Sequence, residues 1–239
     1  MSSIRSNIWK NSQSGKMYRL VMFDMDGVLF DSMPMHAKAW SRTFEGTGLD
    51  YEESKVYLYE GMTASAYVAM LFNIGENDPR CREICARKSE ILKSLPEPVA
   101  MPGAFEALAA VKETGVPAIV VTGSAHTHML EKLSRAYPGL LKTEWMVSAL
   151  DVKRGKPNPD PYLAGAKKAG VAPCDAIVVE NAPMGVHAAH AAGCRVIAVN
   201  TGPLPDSSLL DEGADFLFHS MSELSENIGK IIEVSPELL

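Results

Sequence analysis

The stretch Leu20-Val21-Met22-Phe23-Asp24-Met25-Asp26-Gly27-Val28 decides how this chain is read. Its first four residues form an apolar run with the length of a buried strand. Two carboxylates follow, one residue apart, and a glycine comes next. In a parallel α/β sheet, ligands bind beyond the carboxyl ends of the strands. Carboxylates placed there are costly to bury uncompensated. A hard divalent cation such as Mg²⁺, which takes oxygen ligands, supplies the compensation. While the strand stays extended, alternate side chains share one face, so Asp24 and Asp26 can flank one reacting centre. Gly27 lets the chain turn sharply and brings the backbone close to a ligand.

Downstream of Met101-Pro102-Gly103, helical periodicity alternates with short apolar runs. Ala104, Phe105, Leu108 and Val111 recur at helical spacing, and Gly115 ends that helix. Ala118-Ile119-Val120-Val121 reads as a strand ending in Thr122-Gly123-Ser124, and a helix with Met129, Leu130 and Leu133 follows. Trp145-Met146-Val147 reads as a short strand and residues 159–169 as a helix. Ile177-Val178-Val179 is a strand ending at Glu180-Asn181. A small-residue helix over 184–192, strands at Val196-Ile197-Ala198-Val199 and Phe216-Leu217-Phe218, and a helical tail complete the pattern. Such alternation predicts an α/β fold with a doubly wound, Rossmann-like parallel sheet.

The stretch 33–98 differs, with helical periodicity and no strand. His36, Ala37, Trp40 and Phe44 share one face. Asp50 with Glu53, and Asp78 with Pro79, mark helix starts. Ile84, Ile91, Leu92 and Leu95 form a further apolar stripe. The expected organisation is a disordered leader over 1–16, a core domain over 17–32 and 99–239, and an inserted helical cap domain over 33–98. Joins near Ser32 and Val99 would form a hinge.

The chain has 239 residues, 46% of them hydrophobic and 22% charged, as in an ordinary soluble domain or two. Its net charge of −6 argues against nucleic-acid binding, which needs a basic surface. The basic stretch Arg80, Arg82, Arg87 and Lys88 reads as a solvated helix face. Cys81, Cys85, Cys174 and Cys194 match neither a zinc pattern nor a secreted disulfide framework. No apolar run reaches the roughly 18 residues of a membrane span. The expectation is a cytoplasmic monomer with reduced thiols.

Chemistry gathers at four strand ends: Asp24 and Asp26; Thr122, Gly123 and Ser124; Lys156 in Gly155-Lys156-Pro157-Asn158-Pro159; and Glu180 with Asn181. Together they offer a nucleophile, an acid/base, hydroxyl and amide donors, a cation and further oxygen ligands. Phosphoryl transfer needs such a set, because positioning and charge stabilisation dominate it. Asn181 also reads as a helix cap, and His187, His190, His126 and His128 read as structural or surface residues.

In these motifs and their order the chain resembles the haloacid dehalogenase superfamily, in its β-phosphoglucomutase-like branch with a helical cap. The resemblance covers residues from about Met17 onward. It implies that Asp24 attacks phosphorus to form an aspartyl-phosphate. Asp26 then protonates the leaving group and later deprotonates the hydrolytic water. It implies that Thr122 and the amides of Gly123 and Ser124 hold the phosphoryl oxygens, and that Lys156 neutralises charge between nucleophile and phosphoryl group. Asp24, the Asp26 carbonyl, Asn181 and Glu180 would bind Mg²⁺.

Two departures bear on the substrate. The last motif is Glu180-Asn181 where the branch carries two acids, so one negative charge is missing. Glu60, in Tyr59-Glu60-Gly61-Met62-Thr63-Ala64, either reaches the cation when the cap closes or faces solvent. That same loop resembles the branch's specificity loop but lacks the arginine by which mutases grip a distal phosphate. Lys88 resembles a cap lysine that faces the active site. The implied function is an Mg²⁺-dependent phosphohydrolase acting on pyrophosphate or a sugar or polyol phosphate. The alternatives are a β-phosphoglucomutase-like phosphotransferase, a dehalogenase, and a phosphate-sensing protein without turnover.

Overall fold

The computed structural model describes residues 18–124 and 129–233. Positions 1–17 and the histidines 126 and 128 lie outside them. Five strands, β1 (Leu20–Phe23), β2 (Ala118–Val120), β3 (Ala176–Glu180), β4 (Arg195–Val199) and β5 (Phe216–Phe218), form one parallel sheet in the order β2-β1-β3-β4-β5. Both faces of the central strands are buried. Val21 and Phe23 face one apolar cluster, packed by helices α5 (Ala104–Glu113), α6 (Met129–Ala136), α10 (Met221–Ser225) and α11 (Ile228–Glu233). Leu20 and Met22 face the other, packed by α7 (Asp160–Ala169), α8 (Pro183–Ala191) and α9 (Ser207–Leu210). The period-two alternation of one four-residue run thus serves two cores, which is the doubly wound α/β fold the sequence predicts.

Strand order reverses direction beside β1, where β2 lies on one side and β3 on the other. Phe23 is in register with Val120 and with Val179. Asp24 therefore leaves the sheet level with Val121 and Glu180, at the crevice where such folds bind ligands.

Between β1 and α5 the chain makes α1 (Met33–Phe44), α2 (Lys55–Leu58), α3 (Ala64–Phe72) and α4 (Pro79–Lys93). These helices, termed the cap below, have an apolar cluster of their own built on Trp40, Phe44, Tyr67 and Val68. Stacked Trp40 and Phe44 rings, 5.2 Å apart, fix the face of α1 that turns inward. The two connections to the sheet run side by side. Asp31 N–H donates to Val99 O, and Met101 N–H donates to Leu29 O.

One predicted strand is absent. Thr143–Trp145 is a single 3₁₀ turn, and only Val147 joins the sheet, by one parallel bridge to Val121. An apolar triplet is too short for its periodicity to separate strand from turn. The four cysteines are free thiols, although Cys174 is exposed rather than part of a core. No helix among the described residues is long and apolar enough to cross a membrane.

Candidate active site

Asp24 is 3% exposed and accepts a short hydrogen bond from Lys156 Nζ at its Oδ1. Lys156 is buried too. Its Nζ also donates to Glu180 Oε1 at 2.6 Å and stands 5.2 Å from the centre of the Tyr162 ring. Burial opposes the Lys156 charge, but Asp24 and Glu180 outweigh it and push the ammonium above its ordinary range. Burial pushes the Asp24 carboxyl up to about 8; Lys156 opposes that shift, while Glu180 and Asp26 add to it. A carboxylate held this way keeps its negative charge only with positive charge close by.

Asp26 faces the same cavity. It accepts hydrogen bonds from Ser32 Oγ at 2.6 Å and Ser124 Oγ at 2.9 Å, and His36 Nε2 lies 3.5 Å away. Burial would raise this carboxyl, but the His36 charge and the hydrogen bonds from His36, Ser32 and Ser124 hold it well below the usual carboxylate range. The His36 charge acts only while the imidazole is protonated. Burial and then Lys88 push that imidazole down. At neutral pH the His36 charge is thus largely lost, and the Asp26 carboxylate is held by the two serine hydroxyls with the neutral His36 Nε2–H, whose Nδ1 faces Lys88.

Sequence reading missed Ser32 and the role of His36. Ser32 stands at the start of α1 without capping it, because its hydroxyl turns to Asp26. His36 sits one turn before Trp40 on the buried stripe of α1, and a polar residue on such a stripe was the signal available.

Lys88 is 8% exposed, unlike its basic neighbours on α4. Its Nζ sits 3.0 Å from His36 Nδ1 and 5.2 Å from the centre of the Trp40 ring. Burial pushes it down to about 8, against the pull of Asp26. The solvated-face reading of the basic stretch thus fails at Lys88.

Thr122 is buried, and its Oγ1 accepts from the Ser124 amide at 3.0 Å. That amide, expected to face a phosphoryl oxygen, is bonded within its own turn in this arrangement. Gly123 meets the cap instead: a Cβ there would lie 2.5 Å from Gly61 O. Residues 60–63 of the cap are therefore closed onto the sheet edge.

Glu180 does something other than what its position implied. Oε1 accepts from Lys156 and from Tyr162 Oη, each at 2.6 Å, and Oε2 accepts from the amides of Asn181 and Ala182. Both oxygens are occupied, so Glu180 anchors Lys156 and is not free as a cation ligand. Asn181 and Glu60 meet differently. Asn181 Nδ2 donates to Glu60 Oε2 at 2.9 Å, while Asn181 Oδ1 and Glu60 Oε1 are buried with no partner among the described residues. Burial first, and then Asp24, Glu180 and Asp26, push the Glu60 carboxyl well up. Gly27 makes this meeting possible. Its φ of +82° suits glycine, and a Cβ there would sit 2.1 Å from Asn181 Nδ2.

Among the described residues no cluster of three His, Cys, Asp or Glu side chains forms a ready metal site. A cation here has to draw on an amide and a main-chain oxygen as well. Asp24, the Asp26 carbonyl, Asn181 Oδ1 and Glu60 Oε1 are a set of hard oxygens suited to Mg²⁺. Two orphaned buried oxygens in a region crowded with carboxylates fit such a cation.

A cavity of about 470 Å³ lies between cap and sheet, lined among others by Asp24, Asp26, Trp40, Glu60, Lys88 and Ser124. The fold, the buried Asp–Lys pair and this cavity define a class of enzyme. The model of the haloacid dehalogenase-like hydrolases matches residues 21–199, and the chain belongs to that family. It is 36% identical over 210 residues to hexitol phosphatase A of Escherichia coli, covering 85% of this chain and 92% of that one. It is 32% identical to validoxylamine A 7′-phosphate phosphatase of Streptomyces hygroscopicus, covering 87% and 96%. A solved structure of a β-phosphoglucomutase candidate from Bacteroides vulgatus superposes with a TM-score of 0.87 at 39% identity, covering 95% and 97%.

Proposed function

We propose that this protein is an Mg²⁺-dependent phosphohydrolase that works through a phosphorylated Asp24. The observation that carries this reading is the buried Asp24 carboxylate, fixed by Lys156 and opening on the same cavity as Asp26. Asp24 attacks phosphorus, and the bond to the leaving oxygen breaks. Asp26, a carboxylate in the free protein, takes the proton of the substrate's phosphate monoanion and passes it to that oxygen, then removes one from the water that cleaves the acyl phosphate. Lys156 stays charged throughout, because Glu180 holds it whether or not Asp24 is esterified. Thr122 and the Gly123 and Ser124 amides bind phosphoryl oxygens once Ser124 N–H leaves Thr122. Asp24, the Asp26 carbonyl, Asn181 and Glu60 would hold the Mg²⁺. When bound, the cation supplies positive charge to the phosphoryl oxygens. The cap over 33–98 excludes bulk water during the first transfer.

A sugar or polyol monophosphate is the substrate favoured here. The cavity volume falls in the range of small-ligand sites, and relatives bear the names of hexitol and carbohydrate phosphatases. No arginine is among the residues lining the cavity, which argues against the phosphomutase alternative and its second phosphate. Pyrophosphate is the second reading, favoured by Lys88 as the buried cap cation.

A phosphate-release screen over hexitol phosphates, hexose phosphates and pyrophosphate, with and without Mg²⁺, tests the assignment. Free phosphate that appears only with Mg²⁺, and vanishes in Asp24→Asn, is the expected result. An isomerised sugar phosphate as product would replace hydrolysis with mutase chemistry. Turnover retained by Asp24→Asn would remove the nucleophile.

A further inference from the structure

Behind the Glu60–Asn181 contact lies a second cavity, of about 370 Å³. Its walls include Gly27, Asp31, Tyr57, Asn181, Thr201 and Gly202, and Met33 lines both this cavity and the one in front. Glu60 lines only the front cavity and Asn181 only the rear one. The hydrogen bond joining them is therefore part of the partition between the two spaces. We propose that the rear cavity is the path by which the divalent cation enters and leaves its site while the cap stays closed. This inference rests on the cation site of the proposed function.

Three observations carry it. Asn181 is 6% exposed, lines the rear cavity and carries an oxygen with no partner among the described residues. The lining includes the exposed acid Asp31 and no Lys, Arg or His, so the path attracts cations and repels phosphate. The opening is also narrow where cap meets sheet: a Cβ on Gly202 would lie 3.2 Å from the Tyr57 ring. Residues 60–63 meanwhile pack on Gly123, Gly155 and Lys156, which holds that part of the cap against the sheet edge.

The test reads Mn²⁺ exchange in the full chain, by rapid mixing with EDTA and the EPR signal of the bound ion. A cap lock is available, because a Cβ on Gly155 would sit 3.9 Å from Thr63 Cβ, a separation a disulfide can span. The oxidised Thr63→Cys, Gly155→Cys variant should exchange Mn²⁺ at the rate of its reduced form. Gly202 has no left-handed φ, and Gly202→Val should slow association and release together by about tenfold, leaving Kd nearly unchanged. Asp31→Asn, which alters no buried group, should slow association about threefold at low salt and less at high salt. Exchange halted by the disulfide, or native rates in both Gly202→Val and Asp31→Asn, would overturn the path while leaving the cation site intact. Failure of the native chain to bind Mn²⁺ would remove the site and the path together.

Discussion

Glu60 and Asn181 touch across the boundary between cap and sheet, and each keeps one buried oxygen with no partner among the described residues. A neutral substitution on the cap side separates two effects of opposite sign. Glu60→Gln keeps an acceptor for Asn181 Nδ2 but removes a carboxylate that burial disfavours. The metal-free variant should be more stable than the native protein at pH 8, by on the order of 1 kcal/mol. Its Mg²⁺ affinity should fall by about tenfold or more. Thermal unfolding and calorimetric titration check the two signs separately. A Glu60→Gln chain with native Mg²⁺ affinity would leave Glu60 a closure contact only.

Glu180 and Asn181 are adjacent in sequence and should fail in different ways. Glu180→Gln takes the charge partner from a buried lysine and weakens the bond to Tyr162. Breaking a buried pair costs about 3 kcal/mol, so thermal unfolding should drop by several degrees. Mg²⁺ affinity should change little. Asn181→Ala should do the reverse, with weaker Mg²⁺ binding and a small change in unfolding temperature. A Glu180→Gln protein that melts like the native one would contradict the anchoring role.

This contrast marks where reading the chain stops. The strand-end groups Asp24, Thr122, Lys156 and Glu180 were legible because each closes an apolar run or a Gly/Pro-framed turn, and parallel strands bring such ends to one edge. Successive side chains on a strand point to opposite sides. Telling which of Glu180 and Asn181 turns to Lys156 and which to the cap therefore needs the register of β3. Glu60, Lys88 and His36 reach the site only through docking of the cap. Their placement depends on packing between segments far apart in sequence, such as Lys88 against His36. Periodicity carries no record of that.

Without metal, the crowding of carboxylates should make stability fall with rising pH above neutrality. Asp24 is raised from 3.8 to about 8, and Glu60 is raised above 4.5, so the folded state binds more protons than the unfolded state over that interval. Stability then declines as pH rises. His36, lowered from 6.5, works the other way, but only below that value. Lys88, lowered from 10.5 to about 8, contributes an opposite slope only above about 8. Between pH 6.5 and 8 Asp24 prevails, with a loss of up to about 1.4 kcal/mol per pH unit, and Glu60 acts in the same direction. Saturating Mg²⁺ should flatten the slope by favouring the ionised forms. Unfolding temperatures across that range with EDTA and with Mg²⁺ measure this. A slope that stays the same in both would detach these carboxylates from a cation.

Gly123 is where closure of the cap is most exposed to a single atom. Its absent Cβ would stand 2.5 Å from Gly61 O and 3.4 Å from Met62 O, both main-chain atoms that cannot swing aside. Gly123 lies outside the left-handed region, so alanine fits its backbone without strain. Gly123→Ala should therefore leave the sheet intact, with an unfolding temperature near the native one. It should also push residues 61 and 62 away from the sheet edge. Glu60 then loses its reach to Asn181, and water enters beside Asp24. The expected result is a fall in turnover of about 10²-fold or more, as for other misplacements near 1 Å. Faster hydrogen exchange in residues 60–63 should accompany it. Native turnover in Gly123→Ala would mean that the chemistry does not require the closed cap.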